Sequence, residues 1–524
     1  FAPLAIVGRA CILPGASSPA ELWDVVEERR DVVTDVPRGR WRIDPALVAG
    51  APGACVDRTY STRGGYVRDD ALVDDAGLDL DVVGGRSGLA ALDPLFHWVL
   101  RAGRDCLVDA GFDPSTRRTL RASAVLGNLS FPTEAMTLFG EQQLLDALAE
   151  TSSLRKKIGG PWANDVDAKN RFMSGLPAHL LARALHLAGG AFALDAACAS
   201  SLYAIRLAAL ALDEGRADVV LAGAVNRADS LFLHVGFCAL QALSTTGVAR
   251  PFDRKADGLV PAEGCAFVAL MRLDDAMAQG RPIHGVIRGV GLSNDGRGKN
   301  LLAPSSEGQV RAIRAAWSSA ALAPSTCDYV ECHATGTPTG DRTEVMTVAD
   351  AFATDARVSS GASSASSASS ASRALPLGSL KGNLGHLITA AGVAGLIKVT
   401  EAFAHETIPA SIHADEPLDV LDGKLGVAVQ RDNAPWTSTK DRPRRAGVSA
   451  FGFGGNNAHV VVDAPPTPPR SSGARAAPVA VPRATTSPRL AVVSVGVRLG
   501  AMTSLAELVR ALDENARAKT TSTT

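Results

Sequence analysis

An α/β architecture, with largely parallel or mixed sheets covered by helices, is the fold class this sequence predicts, and three observations predict it. Short apolar runs read as buried strands, among them residues 217–225 (ADVVLAGAV) and 285–292 (GVIRGVGL). Helical periodicity follows Ser200, Ser306 and Thr389. The two patterns alternate along the chain, as they do where helices cross between strands of one sheet.

Bulk properties bound the function. A length of 524 residues exceeds one ordinary core and implies two to four structural units. Hydrophobic residues make up 46% and charged residues 20%, the balance of a soluble globular protein. A formal net charge of -1 gives no support to nucleic-acid binding, which asks for a basic surplus. No apolar run reaches the roughly 18 residues a membrane helix needs, so no membrane is expected. No signal peptide opens the chain, and a first residue Phe1 rather than Met reads as a piece of something longer. The eight cysteines include no C-x-x-C pair, which argues against a zinc knuckle or a thioredoxin motif. They read as free thiols of a reducing cytoplasm.

The elements in order divide the chain. Leu4-Ala5-Ile6-Val7 is a strand, and Ser17-Ser18-Pro19-Ala20-Glu21-Leu22 opens a capped helix. Residues 1–248 and 249–463 are read as two halves of one catalytic region, with a low-complexity Ser/Ala insertion at 359–372. Residues 464–488, rich in Pro and Ala, read as a linker. Beyond it, Leu490-Ala491-Val492-Val493 and then Thr503-Ser504-Leu505-Ala506-Glu507-Leu508 repeat the opening pattern. Residues 489–524 are therefore read as the truncated start of a second, similar domain.

Four segments carry chemistry. In Asp195-Ala196-Ala197-Cys198-Ala199-Ser200-Ser201-Leu202 a strand-like run passes into a helix whose Leu202, Ile205, Ala209 and Leu212 share a face. Cys198 thus sits near a helix N-terminus, where the dipole and free N–H groups favour a thiolate and can hold an oxyanion. Glu331-Cys332-His333-Ala334-Thr335-Gly336-Thr337 ends a strand in a hydroxyl-bearing loop fit for a cleft wall. Lys381-Gly382-Asn383-Leu384-Gly385-His386 precedes a small-residue helix, and His386 before its N-terminus is favoured as a neutral imidazole. Ser449-Ala450-Phe451-Gly452-Phe453-Gly454-Gly455-Asn456-Asn457-Ala458-His459 reads as a glycine loop, then a strand, with an N–H offered to a substrate. Taken singly, Cys198 reads as a buried thiol, His333 as a structural histidine and Lys381 as a surface lysine.

Taken together and in this order, the four segments resemble the β-ketoacyl synthase family of fatty-acid and polyketide synthases. Arg250-Pro251-Phe252-Asp253, Leu92-Asp93-Pro94 and Pro14-Gly15-Ala16 add to the resemblance, which covers residues 3–463. It implies a thiolase-like αβαβα sandwich of two similar halves, usually dimeric. Cys198 would carry the acyl chain as a thioester. Malonyl on an acyl carrier protein would lose CO2 and attack it in a decarboxylative Claisen condensation. His333 and His386 would stabilise the enolate oxygen, and Lys381 would tune the charge around them. The N–H groups of Cys198 and Phe453 would form the oxyanion hole. Thr335, Thr337, Phe453 and Asn456 would contact the phosphopantetheine arm or line the pocket. Neither a metal nor any other cofactor is implied.

Three departures from the common pattern, Gly382, the Leu387-Ile388-Thr389 that follows His386, and Asn456, look more like the iterative polyunsaturated-fatty-acid and glycolipid synthases. In those enzymes a chain-length-factor domain can follow the ketosynthase, and acyl carrier protein and adjacent domains are the partners. The rival readings are a non-elongating or chain-length-factor scaffold, a thiolase, and a cysteine hydrolase. Retention of Cys198, His333 and His386 argues against the first, and a hydrolase leaves Lys381 and His386 unexplained. Cys332 adjoins His333 instead of occupying the separate loop a thiolase needs.

Overall fold

The structure, a computed structural model, describes residues 1–52, 57–68, 72–116, 119–147, 167–228, 230–297, 303–352, 374–421, 425–437, 442–466 and 491–521. The Ser/Ala insertion and nearly all of the linker lie outside the described residues. The chain forms two units, Phe1–Pro478 and Val479–Thr524.

The first unit is built on one mixed sheet of eleven strands. In chain order these are β1 (Leu4–Ile12), β2 (Ala122–Asn128), β3 (Ala191–Leu194), β4 (Val219–Asn226), β5 (Gly264–Arg272), β6 (Gly285–Asn294), β7 (Tyr329–Glu331), β8 (Leu375–Gly378), β9 (Val427–Val429), β10 (Arg445–Phe451) and β11 (Asn456–Asp463). From edge to edge the order is β9-β8-β7-β10-β11-β6-β1-β5-β4-β2-β3. Outward from β1, the pairings with β5, β4, β2 and β3 run antiparallel, antiparallel, parallel, parallel. Outward from β6, the pairings with β11, β10, β7 and β8 follow the same sequence. Two halves of equal topology therefore meet at the antiparallel β1–β6 pair. By this repeat Gly264–Arg272, placed by the sequence in the second half, completes the sheet of the first.

Helices fill the layers around this sheet. The inner layer is α4 (Ser200–Asp213) and α7 (Ala391–Ala404). In α7, every residue from Ala391 to Phe403 is buried, so the helix needs no polar face. One apolar cluster joins Leu202, Ile205 and Leu212 of α4, Leu396 and Val399 of α7, Val220 and Val268 of the first half, and Val448 and Val460 of the second. The opposite face of the first half packs on α2 (Pro94–Asp109) and α3 (Leu176–Ala184), through Leu95, Val99 and Leu181. That of the second packs on α5 (Ser306–Ala320) and α6 (Pro338–Phe352), through Ile313, Trp317 and Val345. The result is the five-layered αβαβα sandwich of two similar halves that the resemblance implied. Gly8 shows how tight the packing is, since a Cβ there would stand 2.2 Å from the carbonyl oxygen of Cys106 in α2. The ends of the first unit begin where capping chemistry dictates: α1 (Pro19–Glu27) is capped by Ser18, whose Oγ accepts from the Glu21 N–H at 3.2 Å.

In the second unit, Ala491, Val492 and Val493 are exposed and are not part of a strand, contrary to the strand read there. No partner strand lies against them among the described residues, which leaves their β-branched propensity without a sheet to join. The helix expected after them is present as α8 (Leu505–Thr521), with the Ser504 Oγ accepting from the Glu507 N–H at 3.3 Å.

Candidate active site

The nucleophile candidate stands on a sharp connection. After β3 the chain enters a 3-10 turn, Ala197–Ala199, and continues into α4. Ala197 adopts φ 50, a left-handed conformation that a non-glycine residue holds only when its surroundings enforce it. Here the Asp195 carboxylate accepts from the Ala197 N–H at 2.9 Å, and the Ser200 hydroxyl accepts from the Ala196 N–H at 2.9 Å. Cys198, the next residue, is turned into a cavity of about 420 Å³ that His333, His386, Thr335, Thr337 and Phe453 also line.

The second half supplies the imidazoles. His333 follows β7, and His386 lies between the one-turn helix Lys381–Leu384 and the turn Ile388–Ala390 that leads into α7. His386 Nε2 is 3.1 Å from Cys198 Sγ. The two imidazole rings meet edge to face with centroids 5.2 Å apart. Sulfur and ring nitrogens of the three residues lie within 4.8 Å of one another. Residues nearly 190 positions apart in sequence thus converge, because the first turns of α4 and α7 abut: the Ser201 Oγ accepts from the Val393 N–H at 3.0 Å.

Electrostatics sort the roles. Burial pushes the Cys198 thiol up to about 11, although the N–H groups of Phe453 and Cys198 and the charge of Lys381 all pull it down. The thiolate preference expected from the helix N-terminus is therefore present in direction and outweighed by desolvation. A neighbouring base is needed to take the thiol proton, and His386 Nε2 is in place for it. Burial and the Lys381 charge hold both His333 and His386 well below the ordinary histidine value, so both are neutral at pH 7. A neutral imidazole can accept the thiol proton or donate an N–H to a developing oxygen anion.

The glycine segment proves to be a hairpin: β10 runs through Phe451, residues 452–455 turn, and β11 begins at Asn456. Gly454 and Gly455 have φ 84 and 85. A Cβ on Gly452 would lie 2.6 Å from the Ala196 carbonyl oxygen, so only glycine lets this turn close onto the nucleophile. That closeness brings the turn against Cys198, and the N–H groups of Phe453 and of Cys198 itself both ease ionisation of the sulfur. Both proposed oxyanion donors are thus at one place.

The remaining predicted residues fall differently. Thr335 and Thr337 line the cavity with hydroxyls 3.1 Å apart. Lys381 is not a surface residue: it is 6% exposed, behind the cavity wall, and acts through charge. Asn456 is not among the cavity-lining residues, and its Oδ1 instead accepts from Asn294 Nδ2 at 3.1 Å across the β6–β11 pair. In a strand alternate residues face opposite sides, so it is Asn457 that faces the cavity.

Two carboxylates were missed as site residues. Glu344 accepts from the N–H groups of His333 and Ala334, each at 2.7 Å. Asp341 accepts from Thr335 at 2.9 Å and from Phe252 at 2.9 Å, and also from Gly336. Together they hold the histidine loop. Burial raises Asp341 to about 6 and Glu344 to about 7, while the N–H groups and Lys381 oppose the rise. Their signal was available, as acids at i and i+3 on the first turns of a helix share one face.

Comparison with known proteins agrees with this geometry. The beta-ketoacyl synthase N-terminal domain family matches residues 2–276, and the beta-ketoacyl synthase C-terminal domain family matches residues 284–415. The ketoacyl-synthetase C-terminal extension family matches residues 418–523, a span that includes the segment read as the start of a second domain. A mycocerosic acid synthase-like polyketide synthase of Mycolicibacterium smegmatis is 33% identical over 91% of this chain and 21% of its own length. The pikromycin polyketide synthase component PikAIII of Streptomyces venezuelae is 34% identical over 88% of this chain and 28% of its own. The chain therefore spans between 21% and 28% of the length of these relatives. Among solved structures, the PfaC keto synthase-chain length factor superposes with a TM-score of 0.76 and 36% identity, covering 89% of this chain and 48% of that one. A ketosynthase from module 6 of the bacillaene synthase of Bacillus subtilis gives a TM-score of 0.73 and 27% identity, covering 89% and 72%. Sequence, fold and cavity agree: the chain belongs to the β-ketoacyl synthase family, the acyl-transferring condensing enzymes of polyketide and fatty-acid synthesis.

Proposed function

We propose that this chain extends an acyl thioester by decarboxylative Claisen condensation with malonyl-acyl carrier protein, as the condensing part of a larger iterative synthase. One observation carries the reading: Cys198 Sγ lies 3.1 Å from His386 Nε2 inside a cavity that also holds His333. His386 accepts the thiol proton as sulfur attacks the incoming acyl thioester. The pantetheine thiol leaves with that proton, and the acyl group stays on Cys198. Malonyl thioester next releases CO2, and its electron pair becomes an enolate whose oxygen receives hydrogen bonds from His333 and from His386, whose neutral ring has by then exchanged its proton onto Nε2. The enolate carbon attacks the acyl carbonyl, the oxygen rests on the N–H groups of Cys198 and Phe453, and collapse expels the Cys198 thiolate. Thr335 and Thr337 offer hydroxyls to the pantetheine amides. No step calls for a metal or a redox cofactor.

Intact-mass measurement after incubation with an acyl-pantetheine thioester tests this reading. Wild type gains one acyl mass and releases CO2 from malonyl-acyl carrier protein, with or without EDTA. Cys198→Ala gains none. An adduct that survives this substitution, or none on wild type, overturns it.

A homodimer, cytoplasmic and acting with acyl carrier protein and adjacent domains, fits the same reading. The edge strand β3 has no neighbour on its outer side among the described residues, and Phe192 on it is exposed. The start of a second ketosynthase-like domain in residues 489–524 has support in local geometry. Leu13 and Ala16 exchange backbone hydrogen bonds before the Ser18 cap, and Leu499 and Met502 do the same before the Ser504 cap. The Ser17 N–H donates to Glu21 at 2.7 Å, and the Thr503 N–H donates to Glu507 at 2.6 Å.

A further inference from the structure

Beneath the cavity, behind the catalytic loops, lies a second charged group that the mechanism above does not use. Glu331 ends β7, two residues before His333. Its carboxylate is 3% exposed, and it accepts three hydrogen bonds: from Lys398 Nζ at 2.8 Å, from the Tyr329 hydroxyl at 2.7 Å, and from the Leu380 N–H at 2.7 Å. Lys398, on α7, is fully buried, and its Nζ is also 3.1 Å from the Tyr329 hydroxyl. Gly395, one turn earlier on α7, makes the room: a Cβ there would press to 3.0 Å of Glu331 Cγ.

A buried ion pair is an expensive way to hold a core together, and well-packed apolar side chains usually do as well or better. Its placement suggests another use. The Leu380 N–H belongs to the residue immediately before Lys381, so the carboxylate is bonded to the turn that presents the lysine. Among the opposite charges around the Lys381 ammonium, Glu331 exerts the largest attraction, ahead of Glu344, Cys198 and Asp341. Lys381 in turn acts on Cys198, His333 and His386.

We propose that Glu331, held by Lys398 and Tyr329, is the positioning residue for Lys381: it fixes the turn that carries the lysine and balances its charge against the Cys198–His333–His386 cluster. The chain of effects runs from the Glu331 carboxylate to the Lys381 ammonium, and from there to the sulfur. The groups facing Lys381 are Glu331, Glu344, Asp341, Cys198, His333 and His386; those facing Glu331 are Lys398, Tyr329 and Cys332. With Glu331 neutral, Lys381 loses its strongest counter-charge and gives up its proton more readily. The sulfur then loses a cation that eases its ionisation, and the thiolate forms at higher pH.

The test uses two variants of the full chain. Glu331→Gln keeps an oxygen for the Leu380 N–H but strands the Lys398 charge, and it is expected to lose stability. The double variant Glu331→Gln/Lys398→Met removes the pair as a unit, so no buried charge is left alone. The readout is the pH dependence of Cys198 alkylation by iodoacetamide, followed by intact mass, beside the melting temperature. We expect the double variant to melt within a few degrees of wild type while its alkylation midpoint rises by about half to one pH unit. CO2 release from malonyl-acyl carrier protein is expected to fall about tenfold in kcat with KM little changed. An alkylation profile of the double variant that coincides with wild type overturns the proposal and leaves the triad a packing device. The CO2 arm rests on the condensing function and the alkylation arm does not. A wild type that releases no CO2 but shows the expected difference in alkylation would defeat that function and leave this inference standing.

Discussion

At the scale of single residues, the site is decided by atoms too small to see in a pattern of types. Gly452 is the sharpest case. Its missing Cβ allows the hairpin turn to lie on the Ala196 carbonyl, beside the sulfur whose ionisation the Phe453 N–H favours. Gly452→Ala is expected to lower condensation about a hundredfold, the usual cost of one lost oxyanion donor. Iodoacetamide labelling of Cys198 at high pH should persist, because the thiol itself remains. Equal loss of labelling and condensation would show instead that the substitution collapses the cavity. Cys198, His333 and His386 were legible in the sequence because each sits in a motif with a distinct chemical purpose. Asn456 was misplaced by one position, since a glycine loop hides the phase at which strand alternation starts. Glu331 and Lys398 were illegible, because nothing in a sequence of apolar strand and apolar helix announces that an acid and a base 67 residues apart will pair.

At the scale of elements, β1, β4, β6 and the inner helices were legible, because apolar runs and helical periodicity report burial directly. The short strands β7, of three residues, and β3, of four, are too brief for a period to show and were read only through the motifs that follow them. Yet these two strands lead into the His333 and Cys198 turns. Among the described residues β3 also leaves a sheet edge open, with Phe192 at 44% exposure. Such an edge invites pairing with another strand. Phe192→Lys is therefore expected to weaken a dimer at least tenfold in sedimentation while the monomer keeps its fold. A variant that sediments as wild type would move the contact elsewhere.

At the scale of the whole molecule, burial of titratable groups sets acid sensitivity. His459 on β11 is fully buried, its Nδ1 2.9 Å from the Ser449 hydroxyl and its Nε2 accepting from Trp317 Nε1 at 3.3 Å. Desolvation lowers it to about 3. The unfolded chain takes up this proton below about 6.5 and the folded chain does not. Stability is thus fully present above pH 6.5 and falls by about 1.4 kcal/mol per pH unit below it, for this one group. Asp341 and Glu344, raised to about 6 and 7, act in the opposite sense, losing stability as pH rises. A difference between wild type and His459→Gln cancels them. Urea titrations from pH 7 to 5 should show the variant's slope smaller by one proton, and equal slopes would mean that His459 titrates normally.

The repeat of two halves was implied by resemblance alone, since their sequences show no obvious likeness, and only strand order makes it plain. It has a consequence for recombination. Cys198 begins α4 in one half, His386 precedes α7 in the other, and the Ser201–Val393 hydrogen bond joins the two first turns. A chimera of two related ketosynthases that crosses over between the halves would take these mating surfaces from different parents. Crossovers in the outer helices leave the joint intact. The natural boundary for dividing this molecule is therefore between its layers rather than between its halves.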